Sequence, residues 1–188
     1  IHGRSIHPGE AKGRMVNAMM TAWELHGMLP WQEQPSYTEG YEGFYHLTSI
    51  RGTVAECRMR YIIREHDGRT YRERKARVEK IAAYLNEKYG AGSVELSLRD
   101  IYFNMKEALA DHMYLIDRAR NAFETCGIEC RTVPVRGGTD GARLSYMGLP
   151  CPNLSTGGHN FHGVYEYIPV ESMEKMAKML VALACGFA

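Results

Sequence analysis

The stretch FYHLTSIRGTVAECRMRYIIREHDG, Phe44 to Gly68, decides the fold class. Phe44 to Ile50 is rich in aromatic and β-branched residues, the composition of a strand. Arg51-Gly52-Thr53 reads as a turn. Beyond it apolar and polar residues alternate. Ala55, Cys57, Met59, Tyr61 and Ile63 fall on one face, and Glu56, Arg58, Arg60 and Arg64 on the other. A period of two sends alternate side chains to opposite faces of a strand. The segment therefore reads as a β-hairpin with one buried face, ended by Asp67-Gly68.

Upstream, His2 to Ile6 reads as a short strand broken by Pro8-Gly9. From Glu10 to Leu29 the apolar positions Met15, Met19, Ala22, Leu25 and Met28 recur at helical spacing. Pro30 to Tyr41 is loop-like. Downstream, Tyr71, Val78, Ile81, Ala82, Leu85 and Tyr89 fit one helix face, closed by Gly90 and Gly92. Val94, Leu96 and Leu98 alternate with polar residues, which predicts a last strand running as far as Phe103. The order β-α-β-β-α-β is that of the ferredoxin-like fold, an antiparallel four-stranded sheet with two helices on one face. After Asn104 the pattern changes. Leu109, Met113, Ile116, Ala119 and Phe123 make a helix stripe, Glu129 to Val133 a short strand, and Met173 to Ala184 a final helix. Between them lie a glycine-rich stretch, Arg136 to Gly148, and a loop-rich one, Pro150 to Gly163. This second part resembles a piece of a larger α/β domain, so the chain as a whole is α+β.

Composition narrows the function. The 188 residues are 45% hydrophobic and 24% charged, as in folded globular chains. Lys plus Arg is 23 against 22 Asp plus Glu, a balance that argues against a general nucleic-acid or acidic-surface binder. No apolar run approaches the ~20 residues of a membrane span. Cys57, Cys126, Cys130, Cys151 and Cys185 are odd in number and contain no C-x-x-C pair. That spacing points to a reduced, cytoplasmic protein with mostly buried thiols rather than a disulfide scaffold or structural zinc site. The chain opens Ile1-His2-Gly3-Arg4 without an initiator methionine, so an upstream portion is expected to be missing.

Three places carry more glycine, histidine and arginine than a scaffold requires. In His159-Asn160-Phe161-His162 two imidazoles stand three apart. They can share a metal only on a helical turn, for which the flanking glycines are unsuited, so a single ligand with partners elsewhere fits better. A plain surface loop fits as well. Arg136-Gly137-Gly138-Thr139-Asp140-Gly141-Ala142 lacks phosphate-loop spacing. Arg136 can fork onto a carboxylate; alternatively the segment is a tight turn before a helix with Asp140 as its cap. In Ser5-Ile6-His7-Pro8-Gly9, His7 can meet an anionic oxygen or simply occupy a turn. Arg64 ends the alternating strand on its polar face, where a solvated sheet surface explains it equally well.

Read together, these places resemble the aminotripeptidase, or peptidase T, branch of the co-catalytic zinc exopeptidases. The runs that carry the resemblance are SIHPGEAKGRMVNA (Ser5 to Ala18), TEGYEGFYHL (Thr38 to Leu47), RYIIREHD (Arg60 to Asp67), VRGGTDGARLSYMGLPCPNLSTGG (Val135 to Gly158) and HNFHGVYEYIP (His159 to Pro169). The resemblance implies a lid or dimerisation domain over residues 1–105 and the C-terminal part of a catalytic domain over 106–188. It implies that His162 is a zinc ligand, with His159 not counted, and that Arg136 holds the peptide's terminal carboxylate. His7 then polarises the scissile carbonyl or stabilises the oxyanion, Arg64 helps hold substrate and Asn17 supports that motif. The implied reaction releases the N-terminal residue of a tripeptide through a water bridging two zinc ions, in a cytoplasmic homodimer joined through the lid, with no nucleic-acid or membrane partner. The family's other zinc ligands and its general-base glutamate precede the lid. This chain is therefore expected to be an inactive fragment that does not hold both zinc ions. A dimerisation module alone, or a related exopeptidase such as a dipeptidase, are the competing readings.

Overall fold

The computed structural model describes residues 1–101 and 104–187. It contains two compact units, Ile1–Arg99 with Pro134–Gly137, and Asp100–Val133 with Gly138–Ala188.

In the first unit, helix α1 (Ala18–Gly27) starts at Asn17, whose Oδ1 accepts from the N–H groups of Met19 (3.0 Å) and Met20 (3.4 Å). That satisfies two of the donors every helix start leaves open. The sequence pointed to a helix from Glu10. Instead Gly13 turns at φ +68°, Pro8–Glu10 forms a 3₁₀ turn and Val16 bridges Arg4, so the helix begins later. Of the predicted stripe, Ala22 and Leu25 are buried, while Ala18 and Thr21 take the places expected of the methionines. Ala18 and Ala22 pack on Cys57 because their small side chains allow close approach, while Met19 is 41% exposed.

Strands β1 (Phe44–Gly52) and β2 (Cys57–Arg64) form the predicted antiparallel hairpin. Tyr45 faces Ile63 and Leu47 faces Tyr61; a bulge at Thr48 then shifts the register to Ser49 opposite Arg60. The alternation holds from Cys57 on. Cys57 is buried, and Met59, Tyr61 and Ile63 pack on a core of Leu25, Leu29, Tyr45, Ile81, Leu85 and Val94. Ala55 lies exposed ahead of the strand. Helix α2 (Gly68–Tyr89) is capped by Asp67, whose carboxylate accepts from Thr70 N–H at 2.8 Å; that bond holds its pKa below the usual carboxylate value.

Among the described residues the ladder has two strands where the sequence pointed to four. His2 and Arg4 make only isolated bridges, to Glu56 and Val16. Val94 has its backbone taken by a side chain: Asn86 donates to Val94 O (2.9 Å) and accepts from Val94 N–H (2.8 Å). Backbone groups satisfied in this way do not need a ladder partner. The predicted end of that strand at Phe103 lies outside the described residues.

Burial pushes the Tyr61 phenol from the usual 10.0 up to about 12; its hydroxyl sits 2.9 Å from His26 Nδ1. The folded state favours the neutral phenol. Its stabilisation is therefore whole below pH 10 and is lost as pH rises from 10 towards about 12. Alkaline unfolding followed by circular dichroism should steepen across that window, and Tyr61→Phe should flatten it. An identical alkaline limb in the variant would exclude Tyr61 as a source.

The second unit contains α3 (Tyr114–Thr125), α4 (Asp140–Tyr146) and α5 (Val170–Cys185). Ala122 and Phe123 of α3 pack on Met179 of α5, which is fully buried. The predicted strand at Glu129 to Val133 is absent. No ladder partner adjoins it among the described residues, and a strand is held by its neighbour. All five thiols are free, but only Cys57 is buried and Cys185 is exposed, so the expectation of mostly buried thiols is not met. Among the described residues no helix is long and apolar enough to cross a membrane.

Candidate functional site

Arg136 is the most firmly anchored of the candidate residues. Its Nη1 donates to Thr38 O, and its Nη2 donates to Thr38 Oγ1 and to Glu42 O (3.1 Å). The guanidinium lies 4.9 Å over the Phe44 ring. The Nε–H is buried with no partner among the described residues. An unmet buried donor costs about 1–3 kcal/mol, and this atom exposes no surface, so an acceptor reaches it only when the surrounding loop shifts. Arg64 stands opposite Phe44 in the ladder, which makes Phe44 the shared neighbour of the two arginines.

The loop that holds Arg136 is itself held. Tyr45 N–H donates to Glu33 O at 2.8 Å, and Thr38 Oγ1 donates to Gln34 O at 2.9 Å. Arg74 on α2 pairs with Glu33 and with Glu65 (2.9 Å). Burial opposes the Arg74 charge, but the two carboxylates outweigh it and raise its pKa. A Cβ on Gly43 would stand 2.5 Å from Arg64 O and 2.8 Å from Arg74 Nε, so the chain passes there only as glycine. Sequence reading treated this segment as a loop and missed Glu33, Thr38, Glu65 and Arg74. Thr38 and Arg136 are 98 positions apart, a contact that no local period reveals.

The other candidates serve local turns. His7 is exposed, and its Nδ1 accepts from Gly9 N–H at 3.1 Å. In a neutral ring this puts the proton on Nε2. Asn17 is the cap of α1. Thr139, rather than Asp140, caps α4 through Ala142 N–H at 3.2 Å. A Cβ on Gly141 would meet Cys151 O at 2.7 Å, and Ser145 Oγ accepts from Cys151 N–H at 2.9 Å. Gly141 therefore serves a close backbone approach at the start of α4.

His162 sits in a compact turn. His159 and Tyr167 exchange backbone hydrogen bonds of 2.8 and 3.2 Å, and their rings stack at 5.1 Å. Asn160 (φ 56°) and His162 (φ 64°) are both left-handed, a conformation that costs non-glycine residues about 1 kcal/mol or more. The Glu166 carboxylate accepts from His162 N–H at 2.9 Å, leaving the imidazole exposed. Among the described residues no group of three or more His, Cys, Asp or Glu stands where it could hold a metal ion.

Comparison with known proteins gives these places a common context. Residues 1–92 match the peptidase dimerisation domain. Across 97% of its length the chain is 53% identical to peptidase T of Caldanaerobacter subterraneus subsp. tengcongensis and 54% identical to peptidase T of Alkaliphilus oremlandii. Over this span it is similar to peptidase T. The chain spans about half the length of these peptidase T relatives, 45% of each. The fold agrees. Aminopeptidase PepT from Bacillus cereus matches with a TM-score of 0.73 at 21% identity, over 97% of this chain and 48% of that one. A tripeptidase from Staphylococcus aureus matches with a TM-score of 0.70 at 18% identity, over the same shares.

Proposed function

We propose that this chain supplies two parts of a zinc-dependent aminotripeptidase: a lid and dimerisation domain over residues 1–105, and the C-terminal part of the catalytic domain over 106–188. The observation that carries the reading is the 53% identity to a peptidase T across 97% of the chain. A cytoplasmic setting fits the five free thiols.

The reading gives each candidate residue a role. Arg136 keeps one donor, its buried Nε–H, without a partner among the described residues, which a tripeptide carboxylate takes up once the Thr38 loop shifts, and Arg64 stands opposite Phe44 in the ladder. The Nδ1 bond of His7 leaves an exposed Nε2–H, a donor suited to a developing oxyanion. Asn17 supports this region by fixing the start of α1. Zinc, when bound, supplies an activated water and polarises the scissile carbonyl. His162 offers it one exposed imidazole. The described residues do not by themselves fit a metal site, since such a site takes at least three protein ligands. No step is therefore assigned to zinc within this chain.

A ferredoxin-like sheet is supported by hydrogen bonds that continue the hairpin. Cys57 N–H donates to Ile1 O and Gly3 N–H to Ala55 O, and on the far side His2 N–H donates to Ser93 O. That gives the spatial order of residues 93, 1–4, β2 and β1. The dimerisation-domain match supports a homodimer through this unit.

The test measures zinc content, tripeptide hydrolysis and solution mass. The 188-residue chain is compared with the same chain fused behind the upstream part of the Caldanaerobacter peptidase T. The short chain should be a dimer that neither retains zinc nor cleaves, and the fusion should do both. Chelator-sensitive hydrolysis by the short chain would overturn the assignment of the remaining ligands to an upstream segment. An inactive, metal-free fusion would favour a dimerisation module alone, and cleavage of dipeptides over tripeptides a dipeptidase.

A further inference from the structure

We infer that Arg74 is a positioning residue for Arg136, acting through the loop from Glu33 to Phe44. The inference rests on reading Arg136 as the carboxylate anchor. Among the described residues, the polar contacts of Arg136 lie on that loop: Thr38 O, Thr38 Oγ1 and Glu42 O, with Phe44 as the stacking surface. Arg74 clamps both ends of the same loop. Its Nη1 binds Glu33 at the start, and its Nε binds Glu65, whose carboxylate lies against Gly43 at the finish. The clamp is closed on the Glu65 side and partly open at Glu33, whose side chain is 30% exposed. The side chains of Arg74 and Glu65 are 12% and 8% exposed, the guanidinium packs 5.2 Å from the Tyr45 ring, and Tyr45 OH donates back to Arg74 O at 3.2 Å.

One cation therefore holds two carboxylates from distant parts of the chain at a spacing that only the cation makes favourable. Removing it leaves Glu33 and Glu65 facing each other partly out of water, and like charges so placed repel. Release of Glu33 moves the segment bearing Thr38, and Arg136 loses the contacts that aim it. The apolar packing of α2 runs mainly through Ile81, Ala82 and Leu85, further along the helix, and Arg74 meets the core only at the Tyr45 ring. Loss of the clamp can thus reach Arg136 without dissolving the core.

The experiment titrates the 188-residue chain with trialanine and with trialanine amide, which lacks the terminal carboxylate, and reads the ratio of the two affinities. Thermal melts establish that each variant is folded. The native chain should prefer the free acid by about tenfold or more, the scale of a charge-assisted contact. Arg136→Ala should bring the ratio to about one, and Arg74→Leu should do the same without touching the peptide. Arg74→Lys keeps the charge but not the fork, so it should retain part of the preference and serves if the leucine variant does not fold. A merely structural role for Arg74 would weaken both peptides alike and leave the ratio at its native value. That result, in Arg74→Leu or in Arg74→Lys, overturns the inference while leaving Arg136 as the anchor. No preference in the native chain, or a native ratio in Arg136→Ala, overturns the anchor reading and the inference with it.

Discussion

Gly3→Ala is expected to destabilise the first unit by about 3–5 kcal/mol. A Cβ at this position would run into Val54 O, Val16 O (2.5 Å) and Ala18 N (2.9 Å), all of them backbone atoms. None can swing away as a side-chain end would. Gly3 N–H donates to Ala55 O, Arg4 exchanges bonds with Val16, and Ala18 N–H donates to Val54 O, so the methyl group fits only if these bonds break. Overpacking of a rigid site costs about 1–3 kcal/mol, and each lost hydrogen bond adds about 1 kcal/mol. Against a total stability of about 5–15 kcal/mol this is a large fraction. Urea unfolding should show a lower midpoint with an unchanged slope. A midpoint equal to the native one would mean that the 1–4 segment is not held against residues 54–57.

His7→Ala is expected to lower kcat by about 10²–10³-fold with little change in KM, measured in the active fusion with the upstream part of peptidase T. That is the scale on which one oxyanion donor acts. The ring is exposed and its tautomer is set by Gly9 N–H, so the Nε2–H is free for a charge that appears only during reaction. His7→Gln, which can present an amide N–H at a similar reach, should recover part of the loss. A rise in KM with kcat unchanged would instead make His7 a ground-state binding residue and remove the oxyanion role.

The legible and illegible parts of this chain divide by the distance over which information acts. The β1–β2 hairpin was readable because alternation of Cys57, Met59, Tyr61 and Ile63 is a local consequence of burying one face. Helix α2 was readable from its stripe and its closing Gly90, whereas Asp67, legible only as the end of the hairpin, is its N-terminal cap. The start of α1 was misplaced, because the periodicity of Met15 and Met19 was mistaken for burial and the capping power of Asn17 was overlooked. The outer strands were over-read. Apolar alternation at Val94 to Leu98 shows a tendency, but whether a ladder forms depends on what else can satisfy the backbone, and Asn86 does so at Val94. The candidate site residues came from motif resemblance, which did not reach the residues that hold Arg136 in place. Glu33, Thr38, Glu65 and Arg74 carry no local signature, since an ion pair across 41 positions leaves no trace in spacing.

The sequence by itself determined the hairpin, the helical stripes, the balance of charge and the kinship with peptidase T. Those follow from composition, from short periods and from residues shared position by position. The tertiary structure alone decided that Arg136 rests on Thr38 with an unmet Nε–H, that Arg74 joins Glu33 to Glu65, that His7 presents Nε2, and that His162 stands in a left-handed turn with Glu166 on its N–H. Hydrogen bonds and ion pairs act over about 3 Å in space whatever the separation along the chain. Only folding brings such partners within that reach.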